Sequence, residues 1–136
     1  MRNTSTKNTL KTMVSEALLT TGYQVSRRTC IGTRPGGSAH KIDMIAQKDN
    51  QKILISLKWQ QTQRTAEQNI PFEIICLAEA VQKEHGERAY LVLGGNGWTL
   101  RDYFVSGQLA KHLIHSDLVE VVTMEQFISL ANNASL

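Results

Sequence analysis

The chain has 136 residues, of which 41% are hydrophobic and 20% are charged. These proportions are typical of a folded globular protein and argue against disorder. The net charge of +3 and the pI near 9.0 are weakly basic, which is compatible with a nucleic-acid partner. No apolar run approaches the roughly 18 residues of a membrane span. The first residues also lack the apolar core of a signal peptide. We therefore expect one domain over residues 1–136, located in the cytoplasm.

Apolar residues recur at helical spacing near the start of the chain. They are Leu10, Met13, Val14, Ala17 and Leu18. This pattern predicts an amphipathic helix over residues 7–21 that ends at Gly22. A strand is predicted over 23–26, with 29–31 as a candidate continuation, before a turn over 34–38. Two further strands are predicted over 40–46 and 52–59, and the β-branched run at 53–55 favours a central position for the latter.

The second half of the chain alternates between helix and strand signals. A polar loop over 60–68 precedes a helix over 71–84, with Pro71 suited to its first turn. A strand over 89–93 ends in a glycine-rich turn, and a helix follows over 100–114, which Gly107 can interrupt. A strand over 118–122 and a helix over 124–131 complete the order. This order predicts an α/β fold: a central mixed β-sheet with helices on both sides.

Two charged residues lie inside the apolar strands. Asp43 is in the run Ile42-Asp43-Met44-Ile45, and Lys58 ends the run from residue 53. Because an unpaired buried charge is costly, both residues need a partner or a site. An aspartate there can bind a hard metal such as magnesium, and a lysine can stabilise charge on a phosphate. A plain salt bridge between the strands is the alternative.

The order of these residues resembles the PD-(D/E)XK nuclease superfamily, in which a helix bears Glu, one strand bears Asp and the next bears (D/E)-x-K. The corresponding pieces here are Glu16, Asp43 and Ser56-Leu57-Lys58. The similarity covers residues 10–95. It implies a restriction-endonuclease-like fold and hydrolysis of DNA with Mg²⁺, for which Mn²⁺ can substitute. It implies no nucleotide cofactor.

One position departs from the pattern, because Ser56 stands where the second acid belongs. Some restriction enzymes with S-x-K supply that acid from the following helix, which indicates Glu73, or Glu67 in the loop before it. Gln60 shares a face with Ser56 by strand alternation. The resemblance thus implies a catalytic set and, within it, three metal ligands: Asp43, Glu73 and Glu16. The full catalytic set is Asp43, Lys58, Glu73, Glu16, Ser56 and Gln60. Solvent-exposed helix positions are the alternative for both Glu16 and Glu73.

Basic residues flank the strands that carry this motif. They are Arg27, Arg28, Arg34, Lys41 and Arg64. Such side chains are expected to contact DNA phosphates and to make binding salt-dependent.

The resulting hypothesis is a restriction or homing endonuclease of prokaryotic or phage type. It would act on duplex DNA as a homodimer or homotetramer with two-fold symmetry. The alternatives are a Holliday-junction-resolvase-like nuclease and a catalytically inactive DNA-binding or assembly protein of the same fold.

Overall fold

The computed structural model describes residues 4–60 and 65–136 and contains one five-stranded sheet. The strands are β1 (Gln24–Thr33), β2 (Ala39–Lys48), β3 (Gln51–Trp59), β4 (Arg88–Gly94) and β5 (Val119–Thr123). The α-helices are α1 (Thr4–Thr20), α2 (Ile70–Gln82), α3 (Arg101–Val105) and α4 (Met124–Asn132). Short 3₁₀ turns lie at Thr65–Asn69, Ala110–His112 and Ser116–Leu118. Within these described ranges, the helices are too short or too polar to cross a bilayer.

The sheet is mixed, and its strands follow one another in chain order. β1, β2 and β3 are antiparallel neighbours, whereas β3, β4 and β5 run parallel. Asp49 and Asn50 join β2 to β3 with positive φ angles of 54° and 67°, which is the backbone of a tight hairpin turn. β3 and β4 are joined through α2 instead, because a parallel pair needs a long crossover.

Helices cover both faces of the sheet. α2 packs on one face against side chains such as Leu54 and Leu91. α1 and α4 pack on the opposite face against side chains such as Ile55 and Val92. Residues 53–57 of β3 are all buried, as expected for a central strand covered on both sides. This arrangement confirms the predicted α/β fold with a central mixed sheet between two helical layers.

The segment 100–114, predicted as a helix that Gly107 can interrupt, is interrupted there. α3 ends at Val105, and only a short 3₁₀ turn follows at Ala110–His112. Gly107 has a φ of +83°, a left-handed conformation that ends a right-handed helix. The possible break at Gly107 is confirmed, whereas the predicted α-helix up to Ile114 was wrong, and Ile114 is 82% exposed.

Candidate active site

Strands β2 and β3 separate at Asp43. Their last paired residues are Met44 and Ile55. Beyond that pair, the Asp43 carboxylate accepts a hydrogen bond of 2.8 Å from the backbone N–H of Leu57. Ile42 packs on the α2 side whereas Met44 packs on the α1 side, although residues two apart on a regular strand share a face. The side-chain alternation of β2 thus shifts at Asp43, and its carboxylate lies in the gap between the strands.

A lysine of α1 pairs with this carboxylate. Lys11 Nζ lies 3.2 Å from Asp43 Oδ1, and the two side chains are 17% and 23% exposed. The sequence reasoning overlooked Lys11. A signal for it existed, because Lys11 lies three and seven residues before Val14 and Leu18, which are fully buried. A lysine in line with the buried stripe of a helix indicates a charged partner on the sheet below.

Glu73 faces Ser56 and Lys58 from the other side of β3. The Ser56 hydroxyl donates a 3.0 Å hydrogen bond to Glu73 Oε2, and Lys58 Nζ lies 3.7 Å from the same oxygen. Pro71 lies in the first turn of α2 and Glu73 follows within that turn, where the helix dipole favours a carboxylate. A carboxylate therefore occupies the neighbourhood of Ser56, although the strand itself carries no acid.

Arg34 is the third partner of Glu73. It lies in the loop between β1 and β2, and it donates a 2.8 Å hydrogen bond to Glu73 Oε1. Its guanidinium also lies over the ring of Phe72, 5.4 Å from the centroid. These two contacts fasten the β1–β2 loop to the start of α2, so Arg34 is engaged with protein rather than facing solvent alone.

Gln60 contacts the glycine-rich turn instead of the carboxylates. Its side chain is buried and donates a 2.8 Å hydrogen bond to the carbonyl of Gly97. The backbone N–H of Gly97 donates a bond of the same length to the carbonyl of Gln60. Gly95 has a φ of +92°, and a Cβ there would lie 2.3 Å from the Gln60 carbonyl oxygen. The turn after β4 thus fixes the end of β3, just beyond Lys58.

Two further glutamates of the sequence hypothesis lie away from these contacts. Glu16 is exposed on α1, one helical turn beyond Thr12. Glu67 accepts a hydrogen bond of 2.6 Å from the backbone N–H of Leu100. Glu73 is therefore the candidate that the structure places against Ser56 and Lys58.

The basic residues differ in their surroundings. Arg27, Arg28 and Lys41 are exposed on β1 and β2, and Arg27 lies 3.4 Å from the Thr12 hydroxyl. The prediction for Arg64 lies outside the described residues. His40 is only 3% exposed, and burial lowers the pKa of its imidazole; the Glu73 carboxylate opposes this effect and the Arg34 charge adds to it. Three of the five basic residues thus present their charges to solvent.

The donor chemistry of this end of β3 fits a magnesium ion. Asp43 and Glu73 both contact the short segment 56–58, and they supply the hard carboxylate oxygens that Mg²⁺ prefers. Among residues 4–60 and 65–136, no group of three or more His, Cys, Asp or Glu side chains is arranged to hold a metal. Mg²⁺ can bind through only one or two carboxylates while it keeps several waters.

The comparison with known protein structures supports the fold. The crystal structure of a fdxN element excision controlling factor protein from Anabaena variabilis is 23% identical, with a TM-score of 0.56, and the match covers 88% of this chain and 94% of that one. An XisH family protein from Nostoc punctiforme is 20% identical, with a TM-score of 0.54 and coverages of 87% and 93%. A protein of unknown function, AF1548, is 12% identical with a TM-score of 0.50; this chain is covered to 83% but spans only 55% of that protein.

The comparison at the level of sequence identifies the family. No curated protein matches the chain significantly. The family model of the PD-(D/E)XK nuclease superfamily domain, however, matches residues 2–135, which is nearly the whole chain. Asp43 and Lys58 lie within that match, at the point where two strands of the sheet separate. The chain therefore belongs to the PD-(D/E)XK nuclease superfamily.

Proposed function

We propose that this protein is a metal-dependent endonuclease that hydrolyses phosphodiester bonds of duplex DNA. The observation that carries the proposal is the position of Glu73, whose carboxylate contacts both Ser56 and Lys58. A nuclease that has Ser in place of the strand acid needs a carboxylate at that point, and α2 supplies one. The domain that does this work spans residues 1–136.

Each residue of the site has a distinct role in this proposal. Asp43 and Glu73 would hold a divalent cation, whose chemistry would be to activate a water molecule and to neutralise charge on the phosphate. The Lys58 side chain is 40% exposed, so its ammonium can reach a bound phosphate and stabilise the charge that develops there. Ser56 orients the Glu73 carboxylate through its hydroxyl.

The exposed basic residues of β1 and β2 would bind the DNA backbone. Arg27, Arg28 and Lys41 project from neighbouring strands of one hairpin. Contacts of this kind position the DNA without reading its sequence, and they make affinity fall as salt rises. Residues 4–60 and 65–136 present one such site, so cutting both strands would require two copies related by a two-fold axis.

Cleavage assays with Mg²⁺ or Mn²⁺ test the proposal on supercoiled plasmid, linear duplex and a synthetic four-way junction. We expect cleavage of plasmid and duplex, and a loss of about 100-fold or more for Lys58→Ala and for Glu73→Gln. Glu79→Gln is the matched control, because Glu79 lies on the same helix and pairs with Lys83 at the surface. Preferential cleavage of the junction would indicate a resolvase. Equal rates for Lys58→Ala and the unmodified protein would overturn the proposal.

A second candidate is a DNA-binding protein of the same fold without catalysis. It is favoured by the pairing of both carboxylates with cations, Asp43 with Lys11 and Glu73 with Arg34. In that case the ion pairs are structural, and DNA binding would persist without cleavage under all metal conditions. Electrophoretic mobility shifts measured beside the cleavage assay distinguish the two candidates.

A further inference from the structure

The outer edge of β5 is an open strand at one end of the sheet. β5 is last in the strand order and pairs with β4 alone, so within residues 4–60 and 65–136 no strand covers its other side. An exposed strand edge presents unpaired N–H and C=O groups, which can pair with an added strand. At the opposite end of the sheet, β1 is the other edge and carries Arg27 and Arg28 of the proposed DNA surface.

A groove of about 760 Å³ runs along this edge. Four consecutive residues of β5, 119–122, line it together with parts of α4 and the segment that follows α3. A groove over one face of a strand would touch only alternate residues, because successive side chains point to opposite faces. Contact with consecutive residues therefore places the groove beside the backbone of β5. Apolar side chains such as Val121 and Leu130 form its walls.

The charge of the groove is opposite to that of the whole chain. Among the described residues that line it, Glu120 and Glu125 are the charged ones, and none is Lys, Arg or His. The chain as a whole has a net charge of +3. Two copies paired through this edge would bring four glutamates together, which disfavours a symmetric dimer here. A basic partner gains from the same charges instead.

We infer that the β5 edge is a docking site for an extended segment of a partner protein, in which apolar residues alternate with Lys or Arg. The segment adds a sixth strand through backbone hydrogen bonds, its apolar side chains enter the groove, and its cations face Glu120 and Glu125. This surface is separate from the candidate active site, so the inference goes beyond the proposed nuclease function and does not depend on it.

A labelled eight-residue peptide of alternating lysine and valine is the probe, with binding to the whole protein followed by fluorescence anisotropy. In a strand, alternate residues direct their N–H groups to the same side. We therefore compare one peptide that is N-methylated at its valines with another that is N-methylated at its lysines. Strand addition is expected to abolish binding of one and preserve binding of the other. A glutamate–valine peptide of the same length is expected not to bind.

Charge-reversal variants locate the binding surface. Glu120→Lys combined with Glu125→Lys is expected to weaken peptide binding about 10-fold. Glu84→Lys, at an exposed position after α2, is the matched control and is expected to change it less than 2-fold. Equal binding of the two N-methylated peptides, no binding by the unmodified protein, or no effect of the double reversal would overturn the inference. So would a dimer, seen by sedimentation, that Val121→Lys dissociates, because a second copy would then occupy the groove.

Discussion

Restoring an acid at Ser56 tests whether Glu73 already fills that place. Ser56 is 3% exposed and its hydroxyl donates to Glu73 at 3.0 Å, so Ser56→Glu puts a second carboxylate directly against the first. If Glu73 has replaced the strand acid of the family, the new carboxylate at position 56 lies beside that of Glu73. Without a metal between them, the two carboxylates repel each other. The expected result is a variant that Glu73→Gln rescues, although Glu73→Gln on its own destabilises the protein.

The magnitudes follow from the contacts. Two carboxylates about 4 Å apart repel by about 4 kcal/mol at an effective dielectric constant of about 20. Arg34 and Lys58 lie close enough to offset part of this repulsion. A longer side chain in a packed site costs about 1–3 kcal/mol more. We expect Ser56→Glu to lower the free energy of unfolding by about 3–5 kcal/mol, and the double variant by only about 1–3 kcal/mol, because repulsion is removed. Glu73→Gln alone is expected to cost about 1–2 kcal/mol through its lost charged hydrogen bonds.

The pH dependence of Ser56→Glu has a definite sign. Repulsion raises the pKa of one carboxyl in the folded state above its ordinary value, so the folded protein retains a proton that the unfolded chain releases. The stability deficit is therefore smallest below the ordinary glutamate pKa and grows as the pH rises through the raised pKa. Mg²⁺ is expected to reduce the deficit at high pH, because a cation bound at these carboxylates would stabilise the folded state alone.

Urea unfolding followed by circular dichroism measures these effects at several pH values, with and without Mg²⁺. The informative comparison is between Ser56→Glu and the double variant with Glu73→Gln. Glu79→Gln in place of Glu73→Gln is the control, and it should not rescue Ser56→Glu. If the loss in free energy of unfolding of the double variant equals the sum of the two single losses within about 0.5 kcal/mol, the Glu73 carboxylate does not occupy the place of the strand acid.

Three further predictions concern the surroundings of the site. Lys11→Met removes the cation that pairs with Asp43 and is expected to tighten Mn²⁺ binding several-fold in calorimetric titration; unchanged affinity would count against a metal at Asp43. Gly95→Ala is expected to lower the free energy of unfolding by about 3 kcal/mol or more, because its Cβ would collide with backbone. Gly36→Ala, with a similar φ of +101° but open space around it, should cost only about 1–2 kcal/mol. Because burial lowers the pKa of His40, stability should fall as the pH drops below about 6.5, and His40→Gln should flatten this loss in urea unfolding between pH 7.5 and 5.

The central strands were predictable because each carries a strong local signal. The apolar run at 53–55 has no polar interruption, and the structure buries it on both faces. The helix α2, with Pro71 in its first turn, also follows from local rules. The segment after Val105 was less predictable, because its apolar residues recur at helical spacing while the backbone turns at Gly107. A glycine in the left-handed conformation ends an α-helix even where the apolar residues continue at helical spacing.

The cations that pair with the carboxylates of the site were harder to predict than the charged residues of the strands. Asp43 and Lys58 stood out because charges are unusual in apolar strands. Lys11 did not, because a lysine on an amphipathic helix is ordinarily solvated, and only the register of α1 against the sheet directs it to Asp43. Arg34 was expected to contact DNA, yet its long-range contact with Glu73 depends on how the β1–β2 loop folds over α2. Such pairings arise from tertiary packing, which sequence spacing does not encode.

In the proposed nuclease, the charge balance of the site would link metal binding to DNA binding. Lys11, Arg34 and Lys58 face only two carboxylates, so the site has an excess of one positive charge, and a divalent cation raises that excess to three. Phosphates are the anions that can neutralise it, so DNA should favour the metal and, by reciprocity, the metal should favour DNA. We expect Mg²⁺ to bind at least about 5-fold more tightly when a non-cleavable duplex is present, as measured by titration at fixed ionic strength. Equal Mg²⁺ affinity with and without DNA would mean that the two ligands do not share this site.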